Sequence, residues 1–403
     1  MIYVPIPIPM LELGKPLPVD VWDPSGKLLL RKGQPILSEQ HKEMLSAHQA
    51  SMSEGDARAW QRSYERMIHA MLRDGASTEA IARASMPAEL VEADYVVGKE
   101  LQGGWLDLQE ILRGMLYQGS AAISPLEHLE SIEKKALELL RSNPDECLFT
   151  LFQALADGAL GYCATHALLS AVVCELTAEK LGMPELARRV LFRSALVMNI
   201  GMARAQDALA RQSSLLNETQ KLLIREHPQK SMEILQGFGV VDEDLLDVVR
   251  WHHEQDESRG LPGNLESRRV LRVADSFVAK MAARKTRLAM SPLGAAKSIF
   301  LGAPASTPEL ASAVAAAVGF YPPGTYVQLV NGEKAVAVSR GARANDAHVV
   351  SIVNPGGMPL LKYQYRDTNE SQFAIRSPVN AEKIKVKVSP EKAFKAWADR
   401  RSI

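Results

Sequence analysis

Four histidines and one aspartate in the central part of the chain have the side chains that metal-dependent hydrolases use. His166, His227, His252 and His253 are followed by Asp275 in the run "VLRVADSF". Neutral imidazoles and carboxylates that converge on one or two cations lower the pKa of a bound water to near neutrality. These residues lie far apart in the sequence. Their types alone therefore leave two alternatives: a metal site, or histidines packed in the core without an ion.

The elements that must position these side chains are helices. From about residue 57 to residue 320 the pattern of apolar residues is almost entirely helical. A helical bundle can hold a site where polar side chains from several helices point inward together. Proline and glycine residues divide the region into helices predicted near 143–160, 163–181, 184–199, 217–236, 242–253 and 266–285.

Short β-rich modules are predicted on both sides of the bundle. The first has a turn at Asp23-Pro24-Ser25-Gly26, and the polar stretch "ASMSEGDARA" (50–59) after it is predicted to be a linker. The second has a hairpin around Asn331-Gly332, the strand "HVVSIV" and a final helix capped by Ser389. We therefore predict a mainly α protein, a helical bundle with small β-rich modules on its N- and C-terminal sides, divided into 1–55, 56–142, 143–318 and 319–403.

Composition excludes several classes of function. The 403 residues are 46% hydrophobic and 23% charged with a formal net charge of zero, which gives no overall attraction to DNA or anionic membranes. Cys147, Cys163 and Cys174 fit neither a disulfide framework nor a zinc ribbon, and they indicate reduced thiols. No window reaches about 18 uninterrupted apolar residues. We expect a cytoplasmic protein with no DNA partner and no membrane span.

Three stretches together resemble the HD-GYP family, a branch of the HD metal-dependent phosphohydrolases that hydrolyses cyclic di-GMP. They are "REHPQKSMEILQGF", "VVRWHHEQDESRGLPGNL" and "SRRVLRVADSFVAKMAARK", and they occur in the family's order within residues 150–300. The flanking β segments are also similar to modules of long family members. The resemblance implies an HD-type helical bundle with metal ligands at His166, His227, His252, His253 and Asp275. It also implies a divalent cofactor, which would be iron, manganese or zinc.

The chain departs from the family at the metal site. Met198 and Asn199 stand where the family's name-giving histidine and aspartate are expected, and Met202 replaces the lysine that follows. Tyr162 stands where some members carry another carboxylate. A thioether is soft and a carboxamide is neutral, so neither suits a hard cation site that needs anionic charge. The sequence therefore predicts an incomplete site with either one ion or none.

The signature loop has changed as well. Gly260, Leu261 and Pro262 stand in place of Gly-Tyr-Pro, and Glu257 and Ser258 replace the preceding Asp-Gly pair. The tyrosine hydroxyl and its aromatic face are therefore missing. The glycine and the proline that shape the loop remain.

We interpret the chain as a degenerate HD-GYP-like signalling protein that senses cyclic di-GMP or binds a signalling protein. One alternative is a weakly active metal-dependent cyclic di-GMP phosphodiesterase, and another is a non-enzymatic homodimeric scaffold. Four basic residues are candidates for phosphate contacts, and their alternative role is the solvated face of a helix. These residues are Arg272, Arg284, Lys285 and Arg287.

Overall fold

The structure is a computed structural model that describes residues 3–88, 103–122, 124–157, 160–282, 289–302 and 308–402. The chain divides into two compact units. The first comprises Met1–Gly98 with Ala121–Ile123, and the second comprises Lys99–Ser120 with Ser124–Ile403. The finer four-part division drawn from the sequence stays a prediction.

The first unit contains a four-stranded antiparallel sheet and three helices. Its strands are β1 (Tyr3–Pro5), β2 (Val21–Trp22), β3 (Leu28–Leu30) and β4 (Ser51–Ser53), in the spatial order β1-β4-β2-β3. Its helices are α1 (Glu39–Ala47), α2 (Glu54–Arg73) and α3 (Thr78–Ala82). The predicted turn between β2 and β3 is confirmed, because Asp23 Oδ1 accepts hydrogen bonds from the backbone N–H groups of Ser25 and Lys27, both at 2.9 Å.

The prediction of a linker at residues 50–59 is wrong, because this stretch forms β4 and the beginning of α2. Strand β4 lies between β1 and β2, where Met52 pairs with Val4 and Ser51 pairs with Trp22. Met52 is buried in the unit's core. The strand is held by backbone pairing with residues distant in sequence, and a local reading of small polar residues cannot detect such pairing.

The second unit is a helical bundle built around one fully enclosed helix. Helix α7 (Cys163–Lys180) is buried on nearly every face because its neighbours surround it. Such a helix is apolar all round instead of amphipathic. The helices packed on it are α4 (Trp105–Gln118), α6 (Pro144–Ala156), α8 (Glu185–Val197), α9 (Ala203–Arg211), α12 (Leu265–Met281) and α14 (Pro308–Val318).

The remaining helices complete this bundle. They are α5 (Pro125–Ser142), α10 (Glu218–Gly237), α11 (Glu243–Trp251) and α13 (Pro292–Gly302). Helix α10 packs on α11, and α11 packs on α8 and α12. The helices predicted from residues 143 to 253 are therefore present with small shifts at their ends. The helix predicted near 266–285 is present as α12, which ends at Met281. Residues 283–288, where the prediction placed its end, lie outside the described residues.

The second unit also carries a five-stranded antiparallel sheet and a final helix. Its strands are β5 (Tyr326–Leu329), β6 (Lys334–Arg340), β7 (Ala347–Val353), β8 (Pro359–Arg366) and β9 (Ile375–Val379), in the order β8-β7-β6-β5-β9. The predicted hairpin at Asn331-Gly332 joins β5 to β6. Helix α15 (Pro390–Ala398) begins at the predicted cap, where Ser389 Oγ accepts from the N–H of Lys392. The predicted fold class, mainly α with small β modules on both sides, is confirmed.

The sheet of the second unit is fastened to helix α6. Arg340 Nε donates to Asp145 Oδ1 at 2.5 Å, and Gln153 Nε2 donates to the carbonyl oxygen of Gly324 at 2.5 Å. Gly324 has φ +88°, and a Cβ atom there would lie 2.5 Å from the carbonyl oxygen of Phe149. Phe149 is itself part of the sheet's apolar core. Only glycine therefore allows the backbone of this loop to approach the helix so closely.

None of the helices in the described ranges combines the length and the apolar character that a membrane crossing requires.

Replacing Gly324 by alanine is expected to loosen the attachment of the sheet. Gly357→Ala is the matched control, since Gly357 has φ +83° but nothing within 4 Å of its would-be Cβ. The control should lose only the roughly 1–3 kcal/mol that a non-glycine residue costs in this conformation. Gly324→Ala adds a backbone clash, so its thermal unfolding midpoint should fall clearly below that of Gly357→Ala. Equal midpoints would show that the contact with Phe149 contributes nothing.

Candidate metal centre

The first predicted ligand, His166, lies one turn into the enclosed helix α7. The N-terminus of this helix is held by Asp207 of α9, whose Oδ1 accepts from the backbone N–H groups of Tyr162, at 2.9 Å, and Cys163, at 2.5 Å. Tyr117 donates its hydroxyl proton to Oδ2 of the same carboxylate. A carboxylate at a helix N-terminus satisfies N–H groups that have no partner inside the helix. Asp207 therefore fixes where α7 begins and where His166 points.

Both ring nitrogens of His166 are engaged. Its Nε2 lies 2.7 Å from Asp275 Oδ1, and its Nδ1 lies 3.0 Å from the hydroxyl of Tyr162. A carboxylate only accepts, so Nε2 carries the proton and Nδ1 accepts from the tyrosine. Burial opposes ionisation of Asp275, but the hydrogen bond from His166 and the nearby imidazoles outweigh it and lower the pKa of this carboxyl. Tyr162, His166 and Asp275 thus form a continuous hydrogen-bonded chain.

The second predicted ligand, His227, is oriented by the proline that follows it. Pro228 lies inside α10 and has no N–H, so the carbonyl of Ile224, four residues earlier, loses its helical partner. Nδ1 of His227 lies 2.6 Å from this oxygen. The bond identifies Nδ1 as the protonated nitrogen, and it leaves the Nε2 lone pair of His227 available to a ligand.

His252 is oriented in the same way by the end of another helix. It follows the last residue of α11, where the final carbonyl groups have no partner inside the helix. Nδ1 of His252 lies 2.7 Å from the carbonyl oxygen of Val249. The Nε2 lone pair of His252 is therefore free as well. A backbone carbonyl on the second ring nitrogen is a common support for a metal-binding histidine.

These two lone pairs face each other. His227 Nε2 and His252 Nε2 are 3.3 Å apart, and with the protons on Nδ1 neither nitrogen can donate to the other. Two zinc–nitrogen bonds of about 2.0–2.1 Å at a tetrahedral angle would separate their nitrogens by about 3.3 Å. The pair therefore has the spacing of two ligands of one ion.

His253 completes a group of three. Its ring centroid lies 4.1 Å from that of His252 and 5.2 Å from that of His227. One ligand atom from each histidine lies within 4.8 Å of the others. We call His227, His252 and His253 the histidine cluster. Its first two members are almost fully buried and His253 is exposed, so the cluster is open to solvent on one side.

The two buried imidazoles of the cluster are neutral at physiological pH. Burial, followed by electrostatic repulsion from His253, lowers the pKa of His227 to about 4. The same two causes, with a contribution from His227, lower the pKa of His252 well below its usual range. Metal binding requires the unprotonated imidazole. The protein therefore keeps these nitrogens ready for an ion without a cost for removing protons.

Met198 and Asn199, which stand where the family has His-Asp, lie directly after α8 on a segment clasped against α10. Ser231 Oγ donates to the carbonyl oxygen of Met198 at 2.8 Å and accepts from the N–H of Gly201 at 3.0 Å. A Cβ atom on Gly201 would lie 2.9 Å from the carbonyl oxygen of His227. The segment is thus pressed against the turn of α10 that carries His227.

Asn199 has no hydrogen-bond partner for its side chain. The residue is 3% exposed, and both Oδ1 and Nδ2 are buried without a partner. An unsatisfied buried polar group costs about 1–3 kcal/mol, so such a group calls for an explanation in its surroundings. A carboxamide oxygen is a recognised ligand of metal ions. The unpaired Asn199 oxygen therefore lies, as a neutral donor without a partner, on the segment that is held against α10.

The signature loop keeps its shape through a buried ion pair. Asp247 Oδ1 accepts from the N–H of Leu261 at 2.8 Å, and Arg268 donates to the carbonyl oxygen of Arg259. The Arg268 and Asp247 side chains are 3.9 Å apart at their nearest charged atoms. Gly260 has φ +76°, and a Cβ atom there would overlap both of them. Leu261, at the position of the missing tyrosine, is partly exposed.

Of the four basic residues proposed for phosphate contacts, the structure describes Arg272. It is half-buried on α12, and its NH1 donates to the carbonyl oxygen of Glu254 at 2.8 Å. It therefore connects α12 to the segment that follows the paired histidines. The other three, Arg284, Lys285 and Arg287, lie outside the described residues.

The structure thus sorts the five predicted ligands into two groups. His227, His252 and His253 come together, whereas His166 and Asp275 bond to each other. Sequence reasoning missed the supporting residues Asp207, Asp247 and Arg268. Each is charged and lies on a helix, a pattern that is typical of a solvated face, and only its burial identifies it.

The residues of this site lie within a stretch that matches a known protein family. Residues 151–304 match the HD domain family. This stretch contains α7 to α12, and with them all five predicted ligands and the signature loop.

Two relatives and one solved structure are similar to the chain. It is 28% identical over 151 residues to the 3'3'-cGAMP-specific phosphodiesterase 3 of Vibrio cholerae, covering 36% of this chain and 33% of that protein. It is 25% identical over 184 residues to a cyclic di-GMP phosphodiesterase of Pseudomonas aeruginosa, covering 43% and 44%. The matches therefore span less than half the length of either relative. An HDG"Y"P protein from Bdellovibrio bacteriovorus overlaps with a TM-score of 0.39 at 15% identity, covering 78% of this chain and 98% of that one.

Alanine at position 260 is expected to break the support of the signature loop. Gly260→Ala places a methyl group among Asp247, Arg268 and Trp251, whereas a Cβ on Gly263 meets nothing within 4 Å. Leaving a buried ion pair separated costs about 3–5 kcal/mol. The thermal unfolding midpoint of Gly260→Ala should therefore fall well below that of the control Gly263→Ala. If the two variants melt together, the buried pair does not hold the loop.

Proposed function

We propose that this protein, whose residues 151–304 match the HD domain family, binds a cyclic dinucleotide at a single-ion centre and is impaired in hydrolysing it. The proposed ion is held by the histidine cluster, with His253 as the ligand on the open side. The domain then acts as a sensor that passes the bound state to a partner protein.

One observation carries this proposal: the Nε2 atoms of His227 and His252 face each other at 3.3 Å while their Nδ1 atoms are fixed by carbonyl groups. Two acceptor lone pairs at this distance repel each other unless a cation lies between them. A packed core histidine gains nothing from such a neighbour. The arrangement therefore favours a site for an ion over the alternative of histidines that only fill the core.

The proposed loss of activity follows from the replacement of two expected ligands. Asn199 replaces a carboxylate by a neutral carboxamide, and Met198 replaces an imidazole by a thioether. The remaining carboxylate among the predicted ligands, Asp275, is bonded to His166. With fewer carboxylate and imidazole ligands, the protein is expected to hold one ion. The family uses a more complete set of ligands for hydrolysis.

The nature of the ligand is inferred from the names of the relatives and from the chemistry of the histidine cluster. Both relatives are phosphodiesterases of cyclic dinucleotides, so a molecule with two phosphodiester groups is the first candidate. An ion at the histidine cluster would attract a phosphate oxygen and lower the pKa of a bound water. Arg272, beside the segment of the paired histidines, is positioned to add positive charge near such a phosphate.

A second function is supported by a separate observation. Three protein ligands with one open position suffice for a hydrolytic metal centre, and His253 leaves the cluster open to solvent. A weakly active cyclic dinucleotide phosphodiesterase is therefore the alternative proposal. It differs from the sensor in a single measurable property, which is turnover.

Metal content tests the centre directly. Purified protein reconstituted with Zn²⁺ should retain about one ion per chain after dialysis, as measured by elemental analysis. His252→Ala removes one of three ligands and should weaken retention by at least roughly 100-fold, since changes beyond the ligands already cost about 10- to 100-fold. The exposed residue His128 on α5 supplies the control variant His128→Ala, which should retain the ion as wild type does.

Nucleotide binding and turnover separate the two proposals. Calorimetric titration of the metal-loaded protein with cyclic di-GMP should show binding, and product analysis in the presence of Mn²⁺ or Fe²⁺ should show no hydrolysis. Hydrolysis that His252→Ala abolishes and His128→Ala leaves intact would overturn the sensor in favour of the enzyme. If neither cyclic di-GMP nor 3'3'-cGAMP binds, the proposed ligand class is wrong.

A further inference from the structure

We propose that one face of helix α4 positions His166 by holding the turn at which α7 begins. The side chains that hold this turn are Gln109, Arg113 and Tyr117, which we call the α4 stripe. Helix α4 precedes the stretch 151–304 that matches the HD domain family. A helix outside that stretch therefore decides where this predicted ligand stands. The inference goes beyond the proposed function, because it needs no bound ion.

Helix α7 has no cap from its own sequence. Tyr162 stands at the N-cap position, and its side chain makes no capping hydrogen bond. The first N–H groups of a helix have no partner inside it, and here Asp207 of α9 accepts from Tyr162 and Cys163. His166 follows within one turn, and its N–H donates to the carbonyl oxygen of Tyr162 at 2.8 Å. The position of His166 therefore depends on groups outside α7.

The α4 stripe contacts this turn at two points. Its three residues are spaced four apart, so they lie along one face of α4. Gln109 Nε2 and Arg113 Nη1 both donate to the carbonyl oxygen of Leu160, at 2.6 and 3.1 Å. Tyr117 donates its hydroxyl proton to Oδ2 of Asp207. The stripe thus holds the backbone that leads into the turn and also the carboxylate that caps it.

The groups of this contact are closely packed. Gly161 has φ +86°, and a Cβ atom there would lie 3.1 Å from both Arg113 Nη1 and Asp207 Oδ2. Tyr117 is fastened as well, because Arg204 Nε donates to its carbonyl oxygen at 2.8 Å and the guanidinium lies 5.0 Å from the ring centre. The stripe covers about 12 Å of the helix axis. A shift or a rotation of α4 would therefore disturb all of these bonds together.

Hydrogen exchange of the intact chain tests whether the stripe holds the turn. Tyr117→Phe keeps the ring beside Arg204 but removes the hydroxyl that donates to Asp207. Losing a hydrogen bond to a charged group favours local opening by at least roughly 10-fold. The amides of Tyr162 and Cys163 should therefore exchange faster by at least roughly this factor. Mass spectrometry of the fragments that contain these amides measures the change.

Chemical modification tests whether this hold positions His166. The residue is 1% exposed, whereas His128 is exposed and serves as the internal reference. Diethyl pyrocarbonate should modify His166 at least roughly 10-fold faster in Tyr117→Phe, relative to His128, because the turn opens more often. The matched control is Tyr326→Phe, which removes a hydroxyl that donates to Gln153 Oε1 at 3.0 Å in the same unit. The control should leave both rates at their wild-type values.

Each outcome supports or overturns the role of α4. Wild-type rates in folded Tyr117→Phe, or faster exchange without faster modification of His166, would overturn it. Equal changes in Tyr326→Phe would also overturn it, since they would reflect a general loss of stability. If Tyr117→Phe does not fold by circular dichroism, Gln109→Leu removes the shorter bond to Leu160 and should give the same local changes. Failure to bind an ion would contradict the proposed function and leave the role of α4 standing.

Discussion

The site depends on two imidazole lone pairs that face each other across 3.3 Å. Neither would be held there without a backbone carbonyl that has lost its partner inside a helix. For His227 the cause is Pro228, and for His252 it is the end of α11. In both cases a carbonyl group without a helical partner accepts a hydrogen bond from Nδ1 of the histidine. This bond fixes the tautomer and the direction of the side chain.

The rest of the second unit maintains this geometry from a distance. Asp207 fixes the start of α7, and Ser231 clasps the segment of Asn199 to α10. The pair of Asp247 and Arg268 holds the loop after α11 in one conformation. Charged groups are costly to bury unless they are paired or hydrogen-bonded, and these are. The bundle therefore holds the elements around the histidine cluster in place through buried polar contacts.

The carboxamide of Asn199 is buried, and neither its oxygen nor its nitrogen has a hydrogen-bond partner. Nearly all buried polar groups in folded proteins have a partner, and an orphan costs about 1–3 kcal/mol. A ligand that satisfies it would recover this energy.

The sequence by itself determined the fold class, the helices around the site and the resemblance to the HD domain family. These features depend on local patterns, such as the cap at Ser389, the turn at Asp23 and the order of the motifs from His227 to Asp275. Tertiary structure decided what local patterns cannot express. It showed that Ser51–Ser53 form a strand because distant backbone pairs with them. It also showed that His166 bonds to Asp275, whereas the other three predicted histidine ligands come together. Distances between side chains on separate helices depend on how the helices pack, and spacing along the chain does not contain that information.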